Sequence, residues 1–204
     1  MYKNTKIFCD IAELNTIKKF NKKNIVKGFT TNPSLIRKAG ARDYKSYCKK
    51  ILKACPEKPI SFEVFADDLV GMKKQAVKIS SYGKNVYVKI PISNTKGHST
   101  VKVIKDLNNS KIPINITAVF TLTQVKSIFN VIDKDTPVII SIFAGRIADS
   151  GIDPIDIIKK SVNLSKKYPN VKILWASPRE VINIFQANEA GCHIITVAKD
   201  IIDK

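Results

Sequence analysis

The sequence predicts an α/β fold, a closed (β/α)8 barrel of the TIM type, formed by residues 1–204 as a single domain. Short apolar runs alternate with amphipathic stretches along the whole chain, a pattern typical of a parallel sheet covered by helices. The apolar runs are rich in β-branched residues and nearly continuous in hydrophobicity, as expected of strands buried on both faces. Eight such runs follow one another at a mean spacing of about 27 residues, which favours a closed barrel over an open sheet.

The apolar runs are assigned to strands and the amphipathic stretches to helices, in chain order. The predicted strands are Ile7–Ile11, Val26–Asn32, Ile60–Ala66, Val86–Ile92, Ile114–Thr121, Val138–Arg146, Lys172–Ser177 and His193–Ala198. The predicted helices between them are Glu13–Asn24, Asp43–Ala54, Asp68–Tyr82, Ser99–Asn108, Leu122–Ile132, Pro154–Lys167 and Pro178–Ala190.

Local signals support the helix assignments. Lysine doublets such as Lys18-Lys19 and Lys159-Lys160 fall on the amphipathic stretches and mark their solvent-facing sides. Asp153-Pro154 and Ser177-Pro178 combine a capping residue with proline at the first helical position. Only six residues follow Ala198, so the eighth helix is expected to be a truncated stub.

Composition excludes several classes of protein. The 44% hydrophobic and 25% charged fractions are ordinary for a globular domain and exclude collagen, wholesale disorder and a coiled-coil rod. No run approaches the roughly 18 apolar residues that a membrane span requires, and Asp10 interrupts the first apolar segment, so neither a membrane partner nor a signal peptide is expected. The four cysteines are scattered, without C-x-x-C spacing, as in a cytoplasmic protein with reduced thiols. They are Cys9, Cys48, Cys55 and Cys192.

The formal net charge of +18 would attract anions. Lysine supplies 31 of the 35 basic residues, mostly on the predicted helices, so a compositional drift explains the charge better than nucleic-acid binding does. No aromatic-basic interleaving or zinc spacing supports a nucleic-acid partner. Glycine-rich nucleotide-binding motifs are absent, and the two histidines, His98 and His193, do not form a metal-ligand cluster. No cofactor or metal is therefore expected.

Lys89 is the sharpest candidate for chemistry, because it lies within the apolar strand Val86–Ile92. The active site of such a barrel lies at the carboxyl ends of the strands. Burial favours a neutral amine, the nucleophile that forms a Schiff base with a ketone. Two simpler interpretations remain open: a strand-end lysine that extends to solvent, or a structural ion pair with Asp10 or Glu63.

Asp10 and Glu63 are single carboxylates in apolar strands, and with one amine they would equip a site for acid–base chemistry. Thr117 could instead be an ordinary β-branched strand residue. Thr31 and Asn32 end the second predicted strand with groups suited to hydroxyls, although Asn32 before proline is also typical of a helix cap.

The chain has four arginines, and two of them lie near predicted strand ends. Arg146 is expected to end strand six, and Arg179 to open the seventh helix beside Ser177. Two guanidinium groups, a hydroxyl and a helix start would form a phosphate site. Arg37 and Arg42 are expected on the surface.

Four segments together resemble motifs of the transaldolase family, and in particular its short members, which include fructose 6-phosphate aldolase. They are Gly28–Leu35, Val88–Pro91, Ser141–Ile147 and Ala176–Arg179. The match runs in order along essentially the whole chain.

The resemblance implies that Lys89 forms a Schiff base with a ketose phosphate and that Asp10 transfers a proton during carbon–carbon cleavage. Glu63 and Thr117 would hold a water that acts as acid and base. The resemblance also implies that seven residues contact the substrate: Thr31, Asn32, Ser141, Phe143, Arg146, Ser177 and Arg179. Of these, Asn32 and Ser141 would bind the dihydroxyacetone unit. The phosphate would be bound by Arg146, Ser177 and Arg179.

Two positions favour transfer over free release. The aldolases generally carry glutamine and tyrosine at two positions where this chain, like the transaldolases, has Glu63 and Phe143. The resemblance therefore implies transfer of a dihydroxyacetone group between sugar phosphates, as in the pentose phosphate pathway. A fructose 6-phosphate aldolase and a catalytically lapsed, polyanion-binding barrel are the alternatives. Pro178 departs from the family's usual aromatic residue. In short relatives the last helix packs on a neighbouring subunit, and this chain has only a stub in its place. A homo-oligomer is nevertheless expected from the resemblance.

Overall fold

A computed structural model describes residues 5–204 of the chain. Eight parallel strands form a closed barrel in sequence order, with the first strand paired to the last. The strands are β1 (Lys6–Asp10), β2 (Val26–Thr30), β3 (Ile60–Glu63), β4 (Val86–Pro91), β5 (Ile114–Val119), β6 (Val138–Ile142), β7 (Val171–Trp175) and β8 (Ile194–Val197). The predicted (β/α)8 architecture is confirmed.

Helices surround the barrel and connect its strands. They are α1 (Leu14–Asn21), α2 (Pro33–Lys38), α3 (Tyr44–Ala54), α4 (Leu69–Ser80), α5 (Val101–Asn109), α6 (Leu122–Phe129), α7 (Ala144–Asp149), α8 (Ile155–Ser165), α9 (Ile182–Glu189) and α10 (Lys199–Asp203). The last of these is the short eighth barrel helix that the sequence predicts, and its Ile201 is buried. Within the described residues, no helix is long and apolar enough to cross a membrane.

Several predicted strands extend too far at their carboxyl ends: the third ends at Glu63 rather than Ala66, and the fifth at Val119 rather than Thr121. Two others bear on the candidate site residues. The second strand ends at Thr30, and Pro33 begins α2 with Asn32 as its N-cap. The sixth ends at Ile142, so Arg146 does not end a strand but lies in α7. The apolar run continues past Ile142 because α7 also buries residues, and an unbroken apolar run does not distinguish a buried strand from a buried helix.

The seventh predicted helix begins too early. Helix α9 starts at Ile182 rather than at Pro178, because the chain first makes a turn in which Ser177 adopts a left-handed φ of 57°. The side-chain oxygen of Asn183 accepts hydrogen bonds from the backbone amides of Arg179 and Glu180, at 2.7 and 3.0 Å. Arg179 therefore lies in a loop ahead of the helix.

The apolar residues form two separate layers. Most pack between the strands and the surrounding helices. A smaller cluster fills the barrel interior, and we call it the interior plug: Phe8, Ile139, Leu174, Ala176 and Ile194. Because side chains alternate along a strand, the residues two positions farther along β1, β6 and β8 also face inward. Those residues are Asp10, Ser141 and Thr196, so the barrel changes from apolar to polar towards the carboxyl ends of its strands.

Candidate active site

A cavity of about 310 Å³ opens at the carboxyl ends of the strands, above the interior plug. Its size lies within the range of small-molecule sites. Polar and charged side chains dominate its lining, which comprises Asp10, Thr30, Asn32, Lys89, Asn115, Thr117, Ser141, Phe143, Arg146, Ala176, Ser177, Pro178, Arg179, Thr196 and Ala198. The location agrees with the general position of active sites in this fold.

Lys89 lies in β4 at the wall of this cavity and is only 9% exposed. Strand pairing places Lys89 directly beside Glu63 of β3. The Lys89 Nζ atom lies 3.1 Å from Glu63 Oε2 and donates a hydrogen bond to the Thr31 carbonyl oxygen at 3.1 Å. The amine is thus held inside the barrel and does not extend to solvent, and of the two carboxylates Glu63 is the one that pairs with it.

Asp10 ends β1 and is held by a chain of hydroxyl groups. The Thr30 hydroxyl donates to Asp10 Oδ1 at 2.6 Å, and the Thr30 and Thr196 hydroxyl oxygens are 2.6 Å apart. Because Thr30 gives its single proton to the carboxylate, Thr196 is the donor in the second bond. Burial raises the pKa of Asp10, although the positive charge of Lys89 and the Thr30 hydrogen bond act against it. A carboxyl group with a raised pKa is suited to proton transfer near neutrality.

Three neutral side chains link strands β3, β5 and β6 across the barrel. The Ser141 hydroxyl donates to Asn115 Oδ1 at 2.6 Å, and Asn115 Nδ2 donates to the Ser61 hydroxyl oxygen at 2.9 Å. Asn115 and Ser141 line the cavity. Their hydrogen bonds fix the orientation of both side chains before any substrate binds.

Thr117 lies next to Pro91 of the lysine strand in the β4–β5 pairing. Its hydroxyl is buried at the cavity wall and has no hydrogen-bond partner among the described residues. The strand is irregular just beyond it, because Ala118 has a positive φ of 55° and the β5–β6 register shifts between Ile116 and Val119. An unpaired buried hydroxyl is costly unless a water or ligand satisfies it, so Thr117 can hold a water or a substrate group.

The cationic residues lie at the rim of the cavity. Arg146 and Arg179 are both exposed, one on α7 and the other in the turn after β7. Two guanidinium nitrogens of Arg179 donate to the carboxylate of Asp149, one of them at 3.2 Å, and this pairing lowers the pKa of Asp149. Ser177 also lines the cavity. The group can bind a phosphate, but Asp149 already engages one of its guanidinium groups.

The remaining predicted contacts differ in position. Asn32 lines the cavity and also caps α2, since its Oδ1 accepts from the Leu35 amide at 2.9 Å. Phe143 lines the cavity and packs edge-on against Phe120. Thr31 is fully buried, is absent from the cavity lining, and donates its hydroxyl proton to the Ser61 carbonyl oxygen at 2.8 Å.

The other ionisable candidates play no part in this cavity. Cys9 packs in the outer apolar layer, where burial raises its thiol pKa to about 12, so the thiol stays protonated. His193 lies at the opposite end of the barrel and accepts a hydrogen bond from the Ile173 amide at 3.0 Å. Across residues 5–204 no group of His, Cys, Asp or Glu side chains is arranged to hold a metal ion.

Sequence reasoning missed Asn115 and Thr196, which both line the cavity. Each is a polar residue inside an apolar strand, and each lies on the inward face by the two-residue alternation. Asn115 is two residues before Thr117, so alternation from that candidate would have identified it.

Comparisons with known proteins identify the family to which the chain belongs. Residues 7–204 match the profile of a family described as transaldolase/fructose-6-phosphate aldolase. A probable transaldolase of Nitrosopumilus maritimus is 34% identical over 203 residues, covering 98% of this chain and 86% of the relative. One from Caldicellulosiruptor saccharolyticus is 35% identical over 201 residues, covering 98% and 88%.

Solved structures support the fold alone. A 3-hexulose-6-phosphate synthase superimposes with a TM-score of 0.67 at 13% identity, covering 98% of this chain and 92% of that one. KGPDC from Streptococcus mutans gives a TM-score of 0.62 at 12% identity, covering 99% and 91%.

Proposed function

The chain belongs to the transaldolase/fructose-6-phosphate aldolase family, and from this premise we propose that it is a class I transaldolase. It would transfer a dihydroxyacetone group from a ketose phosphate such as fructose 6-phosphate to an aldose phosphate, as in the pentose phosphate pathway. The observation that carries this proposal is the Lys89 amine, enclosed at the cavity wall 3.1 Å from Glu63.

The reaction begins at Lys89. The ammonium group passes a proton to Glu63, or to a water between Glu63 and Thr117, and the free amine adds to the ketose C2 carbonyl. Loss of the former carbonyl oxygen as water gives a protonated Schiff base. The Thr117 hydroxyl has no hydrogen-bond partner in the described part of the chain. It supports this step, because it provides a fixed position for the water that gives and takes protons.

Carbon–carbon cleavage then falls to Asp10. Its carboxylate takes the proton of the C4 hydroxyl while the C3–C4 bond breaks, and the bonding electrons move into the Schiff base to form an enamine. The aldose product leaves with the new carbonyl group. The enamine attacks the carbonyl carbon of an acceptor aldose, Asp10 returns the proton, and water releases the new ketose from Lys89.

Borohydride trapping with fructose 6-phosphate tests the proposal. Reduction of the Schiff base should add a stable mass to the peptide that contains Lys89, and Lys89→Met should abolish both the adduct and turnover. Lys73→Met, an exposed lysine of α4, is the matched control and should keep full activity. An adduct on a different lysine, or parent-rate turnover by Lys89→Met, would show that the mechanism is wrong.

The choice between transfer and free release depends on Glu63 and Phe143. Phe143 offers no hydroxyl to the cavity and packs against Phe120, which supports transfer. We expect little ketose cleavage without an acceptor aldose, and Glu63→Gln combined with Phe143→Tyr should increase free dihydroxyacetone relative to transfer product. Efficient cleavage by the parent without an acceptor would favour the aldolase, and an unchanged ratio would remove the case for transaldolase.

The proposed partners are small sugar phosphates and further copies of this chain. A homo-oligomer is tested by light scattering after size-exclusion chromatography, where a monomer mass would contradict it. Nucleic acid is not a proposed partner; tight binding that falls steeply with salt and does not depend on Lys89 would instead support a lapsed, polyanion-binding barrel.

A further inference from the structure

A second cavity, of about 610 Å³, lies at the amino ends of the strands, opposite the candidate active site. It shares no lining residue with the active-site cavity. The interior plug separates the two, since Phe8, Ile139 and Ile194 form the floor of the second cavity and Leu174 is fully buried between them. It is therefore not a route to the active site.

Apolar groups form most of the walls. Phe8 and Tyr87 contribute aromatic rings, and Pro59, Pro137 and Pro169 contribute the edge. Neighbouring backbone amides hold this edge: the Pro59 carbonyl accepts from Phe29 at 2.9 Å, and the Pro137 carbonyl accepts from Ile114 at 3.2 Å. Such a preformed apolar cavity is of the kind that binds small molecules.

Donors predominate among the polar groups in this cavity, although Asn170 Oδ1 is a buried acceptor with no hydrogen-bond partner in the part of the chain that the structure describes. The Tyr87 hydroxyl has no hydrogen-bond partner among the described residues, and burial raises its pKa, so it keeps its proton. His193 accepts the Ile173 amide at Nδ1, which leaves the proton on Nε2. Burial and the charge of Lys172 lower the His193 pKa, so the ring is a neutral donor.

Three ammonium groups surround the opening: Lys6, Lys27 and Lys172. Lys27 donates to Asn24 Oδ1 at 2.8 Å and Lys172 to the Pro169 carbonyl oxygen at 3.2 Å. These acceptors are neutral, so the contacts keep both lysines near the rim, and within residues 5–204 no ion pair offsets their charges. Among the described residues that line the cavity, none is Asp or Glu. An apolar interior under an uncompensated cationic rim is complementary to an anion with an apolar body.

We propose that this cavity is a binding site for an aromatic carboxylate. The ring system would lie against Phe8, Tyr87 and Ile139, and the carboxylate would face Lys6 and Lys172 at the opening. The site does not depend on the reaction proposed for the other end of the barrel.

Isothermal titration calorimetry with 2-naphthoate, at low salt, tests the proposal. The neutral isostere 2-naphthamide should bind on the order of tenfold more weakly, because it keeps the ring and loses the charge. Binding that is equal for the acid and the amide would overturn the proposed recognition.

Variants locate the binding site. Lys6→Gln combined with Lys172→Gln removes two exposed rim charges and should weaken 2-naphthoate binding on the order of tenfold. Lys49→Gln combined with Lys50→Gln removes two exposed charges of α3 and is the matched control, for which affinity should change less than about twofold. Equal weakening by both pairs would show nonspecific attraction to a basic protein and refute the site.

Two further measurements exclude the active-site cavity. Inorganic phosphate, which would bind the Arg146 and Arg179 rim, should not displace 2-naphthoate beyond the effect of matched ionic strength. Ile139→Phe adds volume at the floor of the second cavity and should weaken binding at least as much as the rim variants, with circular dichroism as the check on folding. Displacement by phosphate would place the ligand at the other end and refute the proposal.

Discussion

Gly145 allows helix α7 and the turn after β7 to touch at the phosphate rim, and Gly145→Ala should separate them. A Cβ atom at this position would lie 1.6 Å from the Ser177 carbonyl oxygen and 2.7 Å from the Ser177 carbonyl carbon. Real Cβ contacts essentially never fall under 3.0 Å, so the Ser177 backbone would have to move by at least about 1.4 Å. The neighbour is backbone rather than a flexible side chain, so the turn that carries Ser177 and Arg179 must move as a unit.

The expected loss follows from the contacts that this turn would make. Displacement of the Ser177 or Arg179 donor from a substrate phosphate removes a hydrogen bond to a charged group, about 1.5–3 kcal/mol. This is roughly a 10- to 100-fold fall in kcat/KM for fructose 6-phosphate. Overpacking should also lower the free energy of unfolding by about 1–3 kcal/mol.

Steady-state kinetics with phosphorylated and unphosphorylated fructose measure the effect. The loss should be confined to the phosphorylated donor, because fructose has no group to place at this rim. Gly151→Ala is the control: Gly151 has a positive φ of 80° but an added Cβ would have nothing within 4 Å, so it should cost stability of about 1–2 kcal/mol without a change in substrate preference. Unchanged kcat/KM for fructose 6-phosphate in folded Gly145→Ala would refute the reasoning.

Three further predictions concern charges and hydroxyls at the site. Burial raises the pKa of Asp10 in the folded chain, so its contribution to stability is lost as pH rises from the ordinary value of 3.8 through the folded value. Asp10→Asn should therefore resist urea better than the parent at neutral pH and lose that advantage below pH 3.8. It should also lose activity. An equal change in urea resistance at both pH values would contradict this reasoning. Thr196→Val removes the donor to Thr30 and should lower kcat roughly fivefold at unchanged KM, which Thr196→Ser restores, and a change in KM alone would count against it. Asp149→Asn frees the Arg179 guanidinium and should tighten inhibition by inorganic phosphate up to about fivefold at low salt, whereas weaker inhibition would show that Asp149 positions the arginine for phosphate.

The barrel could be predicted from the sequence because its strands are continuous apolar runs, and that pattern survives without tertiary information. Positions within the fold were harder to predict. The run from Val138 to Ile147 is apolar throughout most of its length, yet the chain changes from β6 to α7 within it. The chain leaves the extended conformation at Phe143 (φ −80°, ψ 58°), and Gly145 then lies close to the Ser177 backbone. An apolar pattern in the sequence records neither feature.

Part of the candidate site could also be predicted, because some of its residues interrupt an apolar pattern. Lys89, Asp10 and Glu63 are charged residues inside apolar strands, which makes them visible. Asn115 and Thr196 are neutral and less unusual, and their importance comes from hydrogen bonds across the barrel. The pairing of Arg179 with Asp149 joins residues 30 positions apart in the chain and follows from no local pattern.

The interior plug also constrains the order of events in the proposed turnover. Because Phe8, Ile139, Leu174 and Ile194 block passage along the barrel axis, the donor, the departing aldose and the acceptor must all use one opening. The first product then has to leave before the second substrate can reach the amine. Double-displacement kinetics, with parallel lines in double-reciprocal plots, are the expected consequence of a barrel that is closed at its base.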